Sequence, residues 1–332
     1  MVRLRTVSSE DPGWTRRRCG RGFVHLDEDG ARLPADDSDR VRGLAIPPAW
    51  EDVWICPVPN GHLQAVGTDE AGRRQYLYHP DWRRQRDLAK FDCVLELGGR
   101  LPRIRDRLAE DLAREGMPLE RGSAVAVRML DLGYFRIGSD AYADEYGSFG
   151  LTTLERRHVR SVDGVLRFRF TGKSGGEHEV DIDDAAVLRA LTPMRRRRSD
   201  EPVLLAYKQG GRWRRLEPAE VNDYLRDVAR LDVTAKDFRT WHATVLAAVA
   251  LAEEPDGDSK AARKRVEVAA MREVGEYLGN TPAVARSSYV DPRLVEHFRH
   301  GRTITVPEGA SSGEDRDGAQ RRLERRVLRL LR

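Results

Sequence analysis

The segment EYLGNTPAVARSSYVDP, Glu276 to Pro292, carries Tyr289 late in a short helical pattern, nine residues after Asn280. A tyrosine near a helix end is either a packing residue or a nucleophile. As a nucleophile it needs help, because a phenol with an ordinary pKa of ~10 is mostly protonated at neutral pH. Guanidinium groups nearby would favour the phenolate and stabilise the charge of a phosphoryl transition state. Two arginines have a context that suits this. Arg136 sits between Phe135 and Ile137, just before a Gly-Ser pair that reads as a helix N-cap, so it is partly buried and needs an anion. That anion is either one of the many nearby carboxylates or a phosphate. Arg239 flanks an apolar stripe of Phe238, Trp241, Val245 and Val249, with Lys236 in the first turn. On this segment alone a structural ion pair is the better reading of Arg239.

Of the 58 basic residues only six are lysine, at 90, 173, 208, 236, 260 and 264. Arginine suits bidentate phosphate contact, whereas lysine offers an ammonium that can give up its proton. One of the six, Lys173, lies in FTGKSGGEH between two strand-like runs, at the tip of an expected hairpin. The chain has 332 residues, 40% of them apolar, which excludes wholesale disorder and leaves room for two domains. No apolar run approaches the ~20 residues of a membrane span, and the N-terminus lacks a signal-peptide core. Cys19, Cys56 and Cys93 suggest neither a disulfide framework nor a zinc site, so a reducing, cytoplasmic setting is expected. The net charge of +4 says little about partners.

The elements that must hold these residues fall into an α+β arrangement. Residues 1 to about 42 read as polar and loop-rich. Short alternating runs at Val53–Cys56, Leu63–Gly67 and Gln75–Tyr78, broken by Pro-Asn-Gly and Glu-Ala-Gly turns, read as a small antiparallel sheet. From Trp82 the period becomes helical. Phe168 and Phe170 alternate with Arg167 and Arg169 as a half-buried strand, and EHEVDID is its partner. Helical patterning then continues to about residue 300. The expected domains are a β-rich unit over 1–90, a mainly α unit with one β-hairpin over 91–300, and a linker with a basic amphipathic tail over 301–332.

Taken together these segments resemble the type IB DNA topoisomerases, in particular the small bacterial enzymes of the poxvirus-like branch. The resemblance runs from about Ile46 to His297. It rests on IPPAW and LQAVGTDEAGRRQYLYH, then GYFRIGSDAYADEYGSFGLTTL, FTGKSGGEH, KDFRTWHAT and LGNTPAVARSSYVDP, in the family's order. It implies a catalytic set of Arg136, Lys173, Arg239, Asn280 and Tyr289, on a catalytic domain of the tyrosine recombinase and topoisomerase IB type. The N-terminal domain would clamp duplex DNA through Gln75, Tyr76 and Tyr78, with Arg73, Arg74 and Lys236 on the backbone. For Tyr76 and Tyr78 a core position is as good a reading. Asn280 stands where poxviral and eukaryotic members carry histidine. An amide donates a hydrogen bond but carries no charge.

The implied reaction relaxes supercoiled DNA by transient single-strand cleavage and religation through a 3′-phosphotyrosyl link. It would need neither ATP nor metal, a divalent cation at most stimulating it, and would run in a cytoplasmic, nucleoid-associated monomer. No Walker loop or cluster of metal ligands is present in the sequence, and no nucleotide or membrane partner is expected. The nearest rival is a tyrosine recombinase or integrase, which typically has histidine at the positions of Lys236 and Asn280 and opens with a helical domain. A non-catalytic DNA-binding relative is the rival from another class, and the complete Arg/Lys/Arg/Asn/Tyr set argues against it.

Overall fold

The computed structural model describes residues 3–133, 135–140, 143, 145, 147–173, 175–253, 259–306 and 316–332. The chain divides into two units, Met1–Lys90 and Phe91–Arg332.

The first unit is built on a five-stranded antiparallel sheet in the order β2-β1-β3-β4-β5, from Trp14–Cys19, Gly22–Leu26, Glu51–Ile55, Leu63–Thr68 and Arg74–Tyr78. Helix α1, Ala35–Gly43, brings Val41 to a small core with Val53, Ile55 and Ala65. The last three strands lie where the alternating runs place them. β1, β2 and α1 correct the expectation of a loop-rich start. The reason is visible in WTRRRC: its arginines are exposed, so the strand shows no apolar alternation. Arg16 is an exception to pure solvation. It donates to the carbonyls of Pro47 and Trp50, both at 2.7 Å, and so holds the IPPAW loop.

The second unit is mainly helical. Helices α2 (Pro80–Leu112, which begins within the first unit's residues), α3 (Leu119–Gly133), α4 (Ala185–Arg196), α5 (Pro218–Ala229), α6 (Ala235–Glu253), α7 (Lys260–Leu278), α8 (Pro282–Ser288), α9 (Pro292–Arg299) and α10 (Arg316–Leu331) carry it. A three-stranded antiparallel sheet, β6-β7-β8 (Val159–Val162, Val165–Thr171, Glu177–Ile182), contains the expected hairpin with one strand more. A second hairpin, β9 (Ala206–Gln209) and β10 (Arg212–Arg215), interrupts the stretch expected to be helical throughout. Phe238 and Trp241 of α6 are fully buried, as their stripe requires.

The separate C-terminal tail is also corrected. The expected linker falls largely on 307–315, outside the described residues. Leu323, Val327 and Leu331 of α10 are buried in the core of the second unit, so the helix belongs to that unit. The amphipathic stripe was visible in the tail, but the core it packs against is distant in sequence.

Beside that apolar seam lies a buried ionic cluster. Arg105 of α2 donates from Nε and Nη2 to both carboxylate oxygens of Asp131 in α3, each at 2.8 Å. The same guanidinium meets both oxygens of Glu324 in α10, again at 2.8 Å. Arg128 and His242 complete the shell around Asp131, at 2.9 and 3.5 Å. Burial alone would raise the Asp131 carboxyl. The hydrogen bonds from Arg105 and His242 outweigh it and hold the group far below the ordinary carboxylate range. A pKa lower in the folded than in the unfolded chain means that the pair stabilises at neutral pH, and that this contribution drains away as the pH falls below the ordinary value of 3.8. Removing one partner would strand the others. Asp131→Asn and Glu324→Gln are each expected to lower unfolding free energy by about 3 kcal/mol, measured by urea denaturation at pH 7. A loss under about 1 kcal/mol would show that the cluster is solvated.

Candidate active site

The site is assembled around the C-terminus of α7. Ser259 caps the start of this helix, its hydroxyl accepting from the Ala262 N–H at 3.1 Å. Gly279 ends it in the left-handed conformation, φ 61°, and the Asn280 N–H returns to the Gly275 carbonyl at 2.7 Å. The last carbonyls of a helix have no intrahelical partner and carry the negative end of its dipole. Here they are taken by arginines. Arg136 donates from Nη2 to the Gly279 carbonyl at 2.8 Å and, at the same distance, to the side-chain oxygen of Asn280. Arg239 donates from Nη2 to the Leu278 carbonyl at 2.8 Å.

Each arginine comes from a rigid support. The backbone around Arg136 is pinned by a 3₁₀ turn, Leu151–Thr153, whose Leu151 and Thr152 N–H groups donate to the carbonyls of Arg136 and Ile137. Phe135 beside it packs edge-on against Phe168 of β7, 5.4 Å between ring centres. Arg239 rides on α6 between the buried Phe238 and Thr240 and is itself only 5% exposed. Burial, and then the neighbouring Arg136 guanidinium, push Arg239 down to about 10, against the pull of the Tyr289 phenol. Among the described residues no carboxylate lies within ion-pair distance of Arg136. Two cations are thus held close together by neutral acceptors, an arrangement that an anion would complete.

Tyr289 follows α8 immediately, with its N–H donating to the Ala285 carbonyl at 3.0 Å. Thr281 caps that helix and Pro282 starts it, as the Asn-Thr-Pro sequence suggests. The phenol hydrogen-bonds Arg239, whose guanidinium carbon lies 5.6 Å from the ring centre. The ring is half-buried against the core, so the residue both packs and presents its hydroxyl to a cation. Asn280 leaves its amide nitrogen buried without a hydrogen-bond partner among the described residues, a donor available to a bound group.

The structure therefore brings Arg136, Arg239, Asn280 and Tyr289 together. Lys173 is exposed in the turn between β7 and β8, as expected of a hairpin tip, and Lys236 is exposed in the first turn of α6. In the first unit, Tyr76 is 46% exposed and Tyr78 half-buried, their rings stacked 6.2 Å apart on one face of β5, so neither is a core residue. Arg74 shares that face and meets Ser9 at 2.9 Å. Arg73 pairs with Asp69, and Gln75 donates to the same carboxylate at 2.8 Å.

Two supporting residues have no obvious signature in the sequence. Glu267 of α7, 1% exposed, receives Arg286 from α8 and Arg299 from α9, the latter at 2.9 Å, and so clamps both helices that flank Tyr289. The Thr244 hydroxyl of α6 accepts from the Asp291 N–H at 3.2 Å, and its one proton is shared between the Thr240 carbonyl at 2.9 Å and the Tyr289 carbonyl at 3.3 Å. Arg239 and Tyr289 are thereby registered to one helix. Thr244→Val keeps the shape but strands the Asp291 N–H. It is expected to cost about 1–3 kcal/mol of stability. With Tyr289 as the nucleophile that the sequence resemblance implies, single-turnover reaction there should also slow by about tenfold. Rates equal to the parent at full stability would show that the contact does not set the register.

Comparison with known proteins gives the family. Residues 79–299 match the family model described as the eukaryotic DNA topoisomerase I catalytic core, and residues 22–69 that of the bacterial DNA topoisomerase IB N-terminal domain. DNA topoisomerase 1B of Acanthamoeba polyphaga mimivirus is 26% identical over 295 residues, 87% of this chain and 88% of that protein. DNA topoisomerase 1B of vaccinia virus strain Copenhagen and DNA topoisomerase I of monkeypox virus are each 21% identical over 251 residues, 73% of this chain and 74% of theirs. With the catalytic-core model matching well over half of the chain, residues 79–299, the chain belongs to the type IB DNA topoisomerase family.

Proposed function

We propose that the protein relaxes supercoiled duplex DNA by reversible transesterification at Tyr289. The phenol oxygen attacks a backbone phosphorus, forming a 3′-phosphotyrosyl bond as the bond from phosphorus to the 5′-oxygen breaks. After strand rotation the 5′-hydroxyl attacks the same phosphorus and releases the tyrosine. One phosphodiester is exchanged for another, so neither ATP nor a metal is needed to drive the cycle. The observation that supports this reading best is the pair of guanidiniums, Arg136 and Arg239, held on neutral carbonyls beside the Tyr289 phenol.

In this reading Arg136 and Arg239 bind the non-bridging phosphate oxygens, and the charge they stabilise grows in the transition state. The free amide of Asn280 adds a neutral donor in place of an imidazole. The leaving 5′-alkoxide is strongly basic and must be protonated. Lys173, carried on a hairpin tip, is the residue given that task, since arginine with a pKa above ~12 is a poor acid. On the first unit, the stacked Tyr76–Tyr78 face with Arg74 offers a surface for duplex DNA that Arg73 and Gln75 extend, and on the second unit Lys236 adds a backbone contact of its own. Phosphate contacts of this kind give affinity without sequence choice. The protein is proposed to act as a monomer associated with the nucleoid. Among its described residues no helix is long and apolar enough to cross a membrane.

Purified protein should relax plasmid of arbitrary sequence in chelator without nucleotide, and Tyr289→Phe should lose all covalent adduct. Retention of adduct in that variant would overturn the assignment of the nucleophile. Lys173→Arg should lose at least ~10²-fold in cleavage rate, a loss largely restored on a duplex with a 5′-thiol leaving group, which needs no proton. Equal defects on both substrates would remove the general-acid role.

A further inference from the structure

One residue near the two arginines has no part in the scheme above. His178 lies on β8, paired in register with Phe170 of β7, five residues after Lys173. Its ring stacks on Phe170 at 5.5 Å and 17° between planes. Its opposite edge is enclosed by backbone. A Cβ added at Gly172 would sit 2.3 Å from the imidazole Cδ2, and one added at Gly279 would sit 2.6 Å from Cε1. The imidazole therefore touches both the strand that leads into the Lys173 turn and the residue that ends α7. It also helps to wall a cavity of about 390 Å³ that reaches Arg136 and Arg239.

We propose that His178 is a positioning residue whose neutral imidazole wedges the Lys173 hairpin against the Gly279–Asn280 turn, and that mild acid, by charging the ring, loosens this wedge and slows cleavage. The inference rests on the phosphoryl-transfer reading of the site. The electrostatics run in the required direction. The charges that act on the ring are Arg136, Arg239 from α6 and the adjacent Glu177, and Glu276 and Tyr277 from the last turn of α7 line the same cavity; Glu179 and Asp181 alternate to the other side of β8, where they pair with Arg169 and Arg167. Burial, then Arg136 and Arg239, lower the imidazole below its ordinary 6.5, with Glu177 opposing. The neutral ring packs between an aromatic face and two glycine backbones. A charged ring beside two guanidiniums would have to move toward solvent, and the turn that presents Asn280 would lose its backing.

The first test needs no activity. An NMR titration of the His178 imidazole in the full chain should give a midpoint below 6.5, moving upward in Arg136→Gln, where one cation is gone. A midpoint at or above 6.5, or one that Arg136→Gln leaves unchanged, overturns the proposal. The second test follows single-turnover cleavage of a suicide duplex between pH 5 and 8. The parent should slow by about tenfold toward pH 5, while His178→Gln, neutral throughout, should show no such acid limb. Gly172→Ala, which pushes on the ring, should slow the parent at pH 7.5 by about tenfold and yet have little effect in a His178→Ala background. An unchanged acid limb in His178→Gln, or a Gly172→Ala defect of equal size in both backgrounds, overturns it. Should the parent form no phosphotyrosyl adduct at any pH, the transesterification reading fails instead, and the titration still decides the state of the wedge.

Discussion

The last carbonyls of α7 are the point on which the site depends. A helix must leave its final carbonyls without helical partners, and in this chain Leu278 and Gly279 use theirs to hold Arg239 and Arg136. This solves a difficult electrostatic problem. Two guanidiniums placed close enough to share one phosphate repel each other and lose hydration. A carboxylate between them would relieve the repulsion but would also compete with the substrate. Neutral carbonyls at the negative end of a helix dipole steady the pair while leaving their charge for an incoming anion. The lowered Arg239, pushed to about 10 by burial and by Arg136, is the signature of that incomplete neutralisation.

Holding such a pair requires stiffness elsewhere. Arg239 stands one helical turn before His242, and Arg136 five residues beyond Asp131. His242 and Asp131 meet in the buried cluster with Arg105 and Glu324. The elements leading to Arg136 and Arg239 are therefore joined to α10 through one charge network. Tyr289 is held independently, through Thr244 of α6 and through the clamp that Glu267 makes with the arginines of α8 and α9. Tyr289 and the two arginines share α6 and α7 as common supports, which sets their spacing.

Much of this was legible in the sequence where residue type and local chemistry coincide. The alternating runs at Val53–Cys56, Leu63–Gly67 and Gln75–Tyr78 announced β3, β4 and β5. The Phe168/Phe170 alternation announced β7, and the Phe238–Trp241–Val245 stripe announced the buried face of α6. What escaped did so for two physical reasons. Arginine-rich surfaces masked β1 and β2, because exposed strands in this chain display arginine where apolar periodicity would be sought. Glu267, Thr244 and Asp131 escaped because their partners are distant in sequence, and a buried carboxylate inside a helix looks like any solvated one until its arginine is found. His178 had a faint signal, since the alternation of EHEVDID with β7 puts it on the same side as Phe170.

The identity of the atom that joins DNA is the most direct point to measure. Trapping the covalent complex on a suicide duplex and digesting it with trypsin should leave the oligonucleotide, linked through its 3′-phosphate, on the peptide Ser287–Arg293 with the modification on Tyr289. An adduct on any other residue, or its absence under conditions where plasmid is relaxed, would contradict a mechanism centred on this phenol and its two arginines.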